Sequence, residues 1–392
     1  MELRFDRGLT PATFLREHWQ KRPLLVRNAL PDYRFPLTAA ELAGLACEEE
    51  IESRLVLEKD GVRPWEARHG PFDETDFASL PDSHWTLLLQ DLDKFVPELW
   101  PLLESFRLVP DWRLDDIMVS YAVDQGSVGP HVDDYDVFLL QVAGHRRWRI
   151  HTRPVSDDDC IPDLDLRILA QFEAEQEWLL RPGDLLYLPP NVAHWGIAEG
   201  DGCITCSIGF RAPAHDELVA AWCQHLIDTR IPAGRYRDPE LEPQSHPAEI
   251  TADALNRIGD LLQRFLQQDP AEFQRWFGRF ITESKPHLQT LPPERSLSPE
   301  ALLRLWQDHE TLWRNPLSRF AFIRGQGQSH HLYAGGDEIP VPQRLLALLE
   351  RITERRRFDY TSMQSLVRAP GAMNLLCRLY NRGHLQFDHD RT

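Results

Sequence analysis

The stretch Glu177–Trp195, EWLLRPGDLLYLPPNVAHW, restricts the fold more than any other part of the chain. Pro182-Gly183-Asp184 dictates a tight turn, and the apolar run Leu185–Leu188 after it is too short for a helix. It reads as a buried strand. Pro189-Pro190 ends that strand, because neither residue can donate to a ladder, and turns the chain so that His194 points back inward. Upstream, the turn-rich segment Asp124–Pro130 leads into His131-Val132-Asp133. In extended backbone, residues i and i+2 project to one side, so the His131 imidazole and the Asp133 carboxylate converge. With His194 as third partner, two imidazoles and one carboxylate form the facial set used by non-haem iron(II). That set leaves three coordination positions open.

The segment between these motifs adds a second clue. Ile117, Val119, Tyr121 and Val123 alternate with Asp116, Met118, Ser120 and Ala122, giving a strand with one apolar face and one mixed face. In a barrel or sandwich the mixed face lines a cavity. Val137–Val142 reads as a strand, Ala143-Gly144 as a turn, and Arg146–Ile150 as the returning arm of a hairpin. If Trp148 and Ile150 face inward, so does Arg146, while Arg147 and Arg149 face out. An inward guanidinium needs an anion. One candidate is an internal Asp or Glu. The other is a small co-substrate that chelates the metal at one end and carries a carboxylate at the other, as 2-oxoglutarate does; Ser120 could donate a further hydrogen bond.

Composition narrows the class. Lys and Arg total 43 against 61 Asp and Glu, a formal charge of −18, so a phosphate backbone is not an expected ligand and a basic partner is. The opening MELRFDRGLTPATF carries no apolar run behind its charges, and no apolar stretch approaches the length of a membrane span. The expectation is a soluble, cytoplasmic protein. The six cysteines are scattered. Cys203 and Cys206, three apart in a β-prone run, would point to opposite faces and suit neither a disulfide nor zinc.

The pattern changes along the chain. Short β-prone runs extend to about Arg211, and helical periodicity begins beyond Ala214. Turn-rich stretches follow at Pro232–Pro247 and Ser284–Pro299. Leu255, Ile258, Leu261, Leu262, Phe265 and Leu266 form one amphipathic stripe, and Phe273, Trp276, Phe277, Phe280 and Ile281 another. Their combined width suits either the β domain or a second subunit as cover. The C-terminal part reads as a helix from Ser298, a strand pair near Arg319–Arg324 and His331–Val341 with a Gly335-Gly336-Asp337 turn, then two or three helices. Helices with a small hairpin suggest a winged-helix-like module, here expected to serve packing or protein contact.

FLREHWQKRPLLVR, ELAGLACEEEIESRLV, LPDSHWTLLLQDLDKF, VPDWRLDDIMVSYAV, GPHVDDYDVFLLQ, GHRRWRI, PGDLLYLPPNVAHWG and SIGFRAP together resemble the Jumonji-C hydroxylases, and within them the bacterial ribosomal oxygenases. The resemblance implies an α+β architecture. A double-stranded β-helix (cupin or jelly-roll) domain at 1–212 is followed by a helical dimerisation domain at 213–288 and a winged-helix-like domain at 289–392. It implies iron(II) at His131, Asp133 and His194, with 2-oxoglutarate and O2 as co-substrates. Arg146, fifteen residues after the first ligand, and Ser120 would contact 2-oxoglutarate. It also implies a homodimer acting on a basic large-subunit ribosomal protein, L-sixteen, hydroxylated at Cβ of an arginine.

The residues fit such a substrate. Asp116 could pair a guanidinium, and Met118 and Tyr135 could pack its aliphatic stem. Two other classes share the same motifs. One is a non-enzymatic cupin-type ligand-binding regulator; the other is a protein demethylase of the same fold, which would release formaldehyde.

Overall fold

The computed structural model describes residues 3–5, 8–58, 65–164, 166–239, 241–243, 246, 248–267, 269–308, 311–325, 327 and 329–388. Pro247, the end of one turn-rich stretch, lies outside them. Two compact units are present, Met1–Ala212 and Pro213–Thr392. No helix among the described residues is long and apolar enough to cross a membrane.

The first unit is built on strands β1 (Leu24–Val26), β2 (Ser53–Glu58), β3 (Trp65–His69), β4 (Trp85–Leu89), β5 (Leu114–Ala122), β6 (Asp136–His151), β7 (Gln176–Leu180), β8 (Leu185–Leu188) and β9 (Ala193–Phe210). They form one antiparallel sheet in the order β1-β8-β6-β9-β5-β4-β2-β3, with β7 on the far arm of β6. The lower arm of β6 pairs with β8 and the upper arm with β7, while β9 follows both arms from Asp136↔Phe210 to His151↔Ala193. The two long strands therefore fold the sheet over on itself.

This corrects the hairpin expected at Ala143-Gly144. β6 does not reverse there; it bulges, with register shifts on both sides of Ala143. Gly144 sits at φ +60°, and a Cβ on it would lie 2.8 Å from the Cys203 Cα. A glycine adopts this conformation without steric cost, so the residues that read as a turn instead bend a continuous strand. The inward assignments survive, because both arms keep alternating. Arg146, Trp148 and Ile150 are buried, while Arg147 and Arg149 pair on the outside with Glu177.

Cys203 and Cys206 are buried and free in β9. The Gln141 amide donates to the Cys203 sulfur at 3.3 Å, within a buried network that includes Thr205.

Helix α1 (Pro11–Glu17), capped by Thr10, packs Phe14 among Phe138 and Tyr187. Beneath it the Tyr187 hydroxyl donates to Asp136 Oδ1 at 2.6 Å and accepts from the Gln20 amide at 2.8 Å. The other Asp136 oxygen takes the Gln20 side chain at 2.9 Å and lies 3.5 Å from Arg113. A fully buried carboxylate is thus satisfied from three directions. The remaining helices of this unit are α2 (Ala39–Leu45), α3 (Glu74–Ala78) and α4 (Trp100–Glu104).

The second unit begins with α5 (His215–Thr229), α6 (Ala252–Leu266) and α7 (Pro270–Thr282). The aromatic stripe of α7 is covered from its own chain: Phe273, Trp276 and Phe280 pack with Leu218, Ala221 and Trp222 of α5. The stripe of α6 is not, and Leu255, Ile258, Leu262 and Leu266 stay exposed. Helix α8 (Pro299–Gln307), capped by Ser298, is followed by β10 (Leu312–Arg314) and a three-stranded meander of β11 (Phe320–Ile323), β12 (Ser329–Ala334) and β13 (Asp337–Pro342). Gly335-Gly336 form the turn of the hairpin between β12 and β13, as the Gly335-Gly336-Asp337 turn read from the sequence requires, and β11 adds a third strand. Helix α9 (Leu346–Glu354), β14 (Arg357–Phe358), α10 (Tyr360–Val367), α11 (Ala372–Asn381) and β15 (Leu385–Phe387) close a core centred on Leu302, Trp306, Leu349 and Leu376.

Tyr187→Phe removes a hydroxyl bonded to a buried charge and should lower the unfolding free energy by about 2 kcal/mol. Urea unfolding measures it; an unchanged midpoint and slope would mean the network contributes nothing.

Candidate metal centre

His131 follows the Asp124–Pro130 turn, and His194 is the second residue of β9, four positions after Pro190. The two residues face each other in an isolated antiparallel bridge, each amide bonded to the other's carbonyl at 2.9–3.0 Å. Asp133 is fixed by its own carbonyl, which accepts from the Asn191 amide at 2.8 Å. The three side chains meet, with one ligand atom from each lying within 4.8 Å of the others. Asp133 Oδ1 lies 3.9 Å from His131 Nε2, and Oδ2 lies 3.6 Å from His194 Nε2.

Each imidazole is oriented by a backbone carbonyl. Nδ1 of His131 stands 3.0 Å from the Gly129 oxygen, and Nδ1 of His194 stands 3.0 Å from the Val192 oxygen. A proton on Nδ1 satisfies each contact and leaves the Nε2 lone pair aimed at the common centre, the arrangement metal-binding histidines use. Burial, together with the neighbouring His131, pushes the His194 pKa down to about 4, so this imidazole is neutral at physiological pH. Two imidazoles and a carboxylate converging on one point fit a divalent cation of the iron type.

Ser127 holds the His131 loop, and sequence reasoning missed it. Its hydroxyl accepts from the Gly129 amide and from the Trp195 indole, both at 3.0 Å. Gly129 has φ +81°, and a Cβ there would press to 2.8 Å against Ile168. Nothing in the local pattern of GSVGPHVD marks the serine; only the fold brings Trp195 to it.

Arg146 is buried, with Nη2 3.5 Å from Ser120 Oγ and its guanidinium 5.8 Å from the Trp148 ring centroid. Its Nε has no hydrogen-bond partner, and among the described residues no ion pair engages it. The internal Asp or Glu that could have neutralised it is not among those residues. An interior guanidinium of this kind suits the carboxylate of a small anion.

Asp116 lies near the start of β5. It is buried, and its Oδ2 accepts from the Gln90 amide at 3.0 Å and the Asp91 backbone at 3.1 Å. Tyr135 lies close by on the loop into β6 and is part-exposed. Partial burial, with the Asp133 and Asp116 charges, raises its pKa, so the hydroxyl keeps its proton. Met118 sits on the same face of β5, packed against Val56, Leu88 and Ile168.

Residues 101–218 match the JmjC domain family, and residues 265–386 match the ROXA-like winged helix. The chain is 34% identical over 375 residues to the ribosomal protein uL16 3-hydroxylase of Escherichia coli K12, covering 96% of this chain and 97% of that protein. The chain belongs to the JmjC ribosomal oxygenase family. A probable ribosomal oxygenase of Haemophilus influenzae is 41% identical over 234 residues, covering 59% of this chain and 55% of that protein. The crystal structure of E. coli YcfD superimposes with a TM-score of 0.84 over 99% of this chain and 100% of that one, at 34% identity. The same ribosomal oxygenase solved with cobalt and 2-oxoglutarate gives 0.82 at 32% identity, covering 99% of each chain. The fold class read from the sequence, a cupin-type JmjC domain with a C-terminal winged helix, is thereby established.

In this ribosomal oxygenase, Ser127→Ala strands one buried and one part-buried donor. It should cost about 2 kcal/mol of stability and weaken divalent-metal binding about tenfold through the loosened His131. Calorimetric titration with Mn(II) checks it; wild-type metal affinity would show that the loop holds His131 without the serine.

Proposed function

We propose that this chain is an iron(II)- and 2-oxoglutarate-dependent protein hydroxylase that acts in the cytoplasm on an arginine of ribosomal protein uL16, at its β-carbon. The observation that carries the reading is the buried Arg146 guanidinium, without a counter-charge among the described residues, on the strand pair that also carries His194. The named activity of the full-length relative supports the substrate assignment.

His131, Asp133 and His194 would hold the iron through Nε2, a carboxylate oxygen and Nε2. Arg146, with Ser120, would clamp the distal carboxylate of 2-oxoglutarate. When bound, iron and 2-oxoglutarate supply the oxidising power that inserts one atom of O2 into a C–H bond as succinate and carbon dioxide leave. The chain itself contributes position. Asp116, with one oxygen fixed by Gln90 and Asp91, presents a carboxylate for the substrate guanidinium. Met118 and the Tyr135 ring would pack the arginine stem, which fixes the β-carbon relative to the metal side of the cavity. The acidic chain, at −18, favours approach of a basic ribosomal protein over a nucleic acid.

The enzyme also works as a homodimer in this reading, with the exposed α6 stripe covered by a second subunit. Leu255→Glu with Leu262→Glu should convert dimer to monomer in sedimentation at micromolar concentration. A wild type that sediments as a monomer would remove the dimer from the account.

The functional test is succinate release that depends on an arginine-containing uL16 peptide and is lost in His194→Ala. Formaldehyde release instead would point to demethylation, and peptide-independent binding without turnover to a regulator. Arg146→Ala should raise the 2-oxoglutarate requirement by about ten- to a hundredfold, the worth of a charge-assisted hydrogen bond. An unchanged requirement would place the co-substrate carboxylate elsewhere.

A further inference from the structure

The site described above leaves a charged side chain on the cavity wall without a task. Arg54 lies on β2 opposite Leu88 of β4, and Leu88 lies opposite Ser120 of β5. Directly opposed residues of an antiparallel sheet project to the same face, so Arg54, Leu88 and Ser120 form one row across three strands. Val56, two residues along β2 and on that same face, packs with Leu88, Met118 and Ile168. The row thus belongs to the face that lines the cavity. Ser120 meets Arg146 at one end of it, and Arg54 stands two strands away, roughly 10 Å.

The Arg54 guanidinium is close enough to Tyr135, two positions after Asp133, for the two groups to act on each other electrostatically. Tyr135 is part-exposed and Arg54 half-buried, so both stand where the cavity opens to solvent. Asp133, Asp116 and Asp115 also act on Tyr135, which makes the surroundings otherwise acidic. Arg54 departs from that pattern and is not neutralised within the chain. Its Nε is buried without a hydrogen-bond partner, and among the described residues no ion pair engages it. Glu52, two positions back, acts on it without forming an ion pair. A guanidinium that has lost water at Nε is unfavourable until an oxygen accepts from it. A cation here also opposes the approach of a basic protein, so its use lies in the bound state.

The reaction proposed above narrows which oxygen that is. Its target is a β-carbon, one bond from the main chain, so the target residue's own peptide groups reach the cavity together with the reacting carbon. A main-chain carbonyl is a neutral acceptor that every polypeptide carries, and a guanidinium donates to it without an acidic side chain nearby. We propose that Arg54 is a substrate-binding residue, which donates to a main-chain carbonyl of uL16 beside the target arginine and so fixes which carbon faces the metal centre. The inference rests on the hydroxylase reading above and extends it from the substrate's side chain to its main chain.

The test uses the full-length enzyme with iron(II), 2-oxoglutarate and a uL16-derived peptide carrying the target arginine. Hydroxylation is followed by mass spectrometry, and 2-oxoglutarate affinity is titrated anaerobically without peptide. Arg54→Met keeps most of the stem on the sheet and loses every donor. It should raise the peptide KM at least about tenfold and leave the 2-oxoglutarate affinity at the wild-type value. Because the acceptor carries no charge, the ratio of variant to wild-type KM should stay the same from low to high salt. An unchanged KM overturns the proposal, and so does a 2-oxoglutarate affinity that falls alongside it. A KM ratio that collapses at high salt overturns the main-chain carbonyl in favour of a substrate carboxylate. Should Arg54→Met not fold, Arg54→Lys decides: it keeps the charge for the scaffold but lacks the planar fork, and its KM should still rise about threefold. Wild-type KM in Arg54→Lys then overturns the proposal. A wild-type enzyme that binds 2-oxoglutarate but ignores the arginine peptide contradicts the substrate reading itself. A wild type that turns the peptide over beside an equally active Arg54→Met contradicts only the role of Arg54.

Discussion

The pairing of β6 with β9 carries nearly everything else in the first unit. It runs from Asp136↔Phe210 to His151↔Ala193 through a bulge at Ala143 and Gly144, so that one strand pair spans the whole sheet from the β8 side to the β7 side. Arg146 hangs from one side of this ladder and His194 from the other, while His131 is bonded to His194 by a bridge of its own. The spacing of the metal site is therefore set by main-chain hydrogen bonds, whose geometry is nearly invariant, and not by long side chains that would need separate restraint. Nδ1 contacts to Gly129 and Val192 carbonyls complete the orientation from the same backbone.

Within that frame the costly feature is charge inside the barrel. Arg146 is buried with no anion paired to it among the described residues, and Asp116 is buried with its Oδ2 held by the Gln90 side chain and the Asp91 amide. Desolvating either group is unfavourable, and a fold selected for stability alone would place apolar residues at both positions. One interior cation and one interior anion on the sheet that carries His194 are what the proposed function assigns to an anionic co-substrate and a cationic substrate side chain. The contrast with Asp136 is instructive. That carboxylate is equally buried but takes Tyr187, Gln20 and Arg113, so it is a structural fastening with nothing left over for a ligand.

Much of this was legible in the sequence because it depended on local rules. The PGD turn, the four-residue strand and the double proline placed His194; HxD in extended backbone placed its two partners; alternation around Trp148 and Ile150 turned Arg146 inward. The hairpin expected at Ala143-Gly144 failed for a physical reason. A glycine at positive φ serves a turn and a bulge equally well, and only the pairing with β9 distinguishes them. Ser127 and Gln90 were silent because their partners are distant in sequence: Trp195 and Asp116. The aromatic helix α7 shows the same limit, since its stripe announced burial but not that α5 would supply the cover.

The most direct measurement is the mass of full-length uL16 after incubation with this enzyme, iron(II), 2-oxoglutarate and O2, with fragmentation to locate any change. The account requires one added oxygen on a single arginine, at its β-carbon, and none when His194→Ala replaces the wild type. An unmodified uL16 in the presence of an enzyme that demonstrably binds metal and 2-oxoglutarate would contradict it.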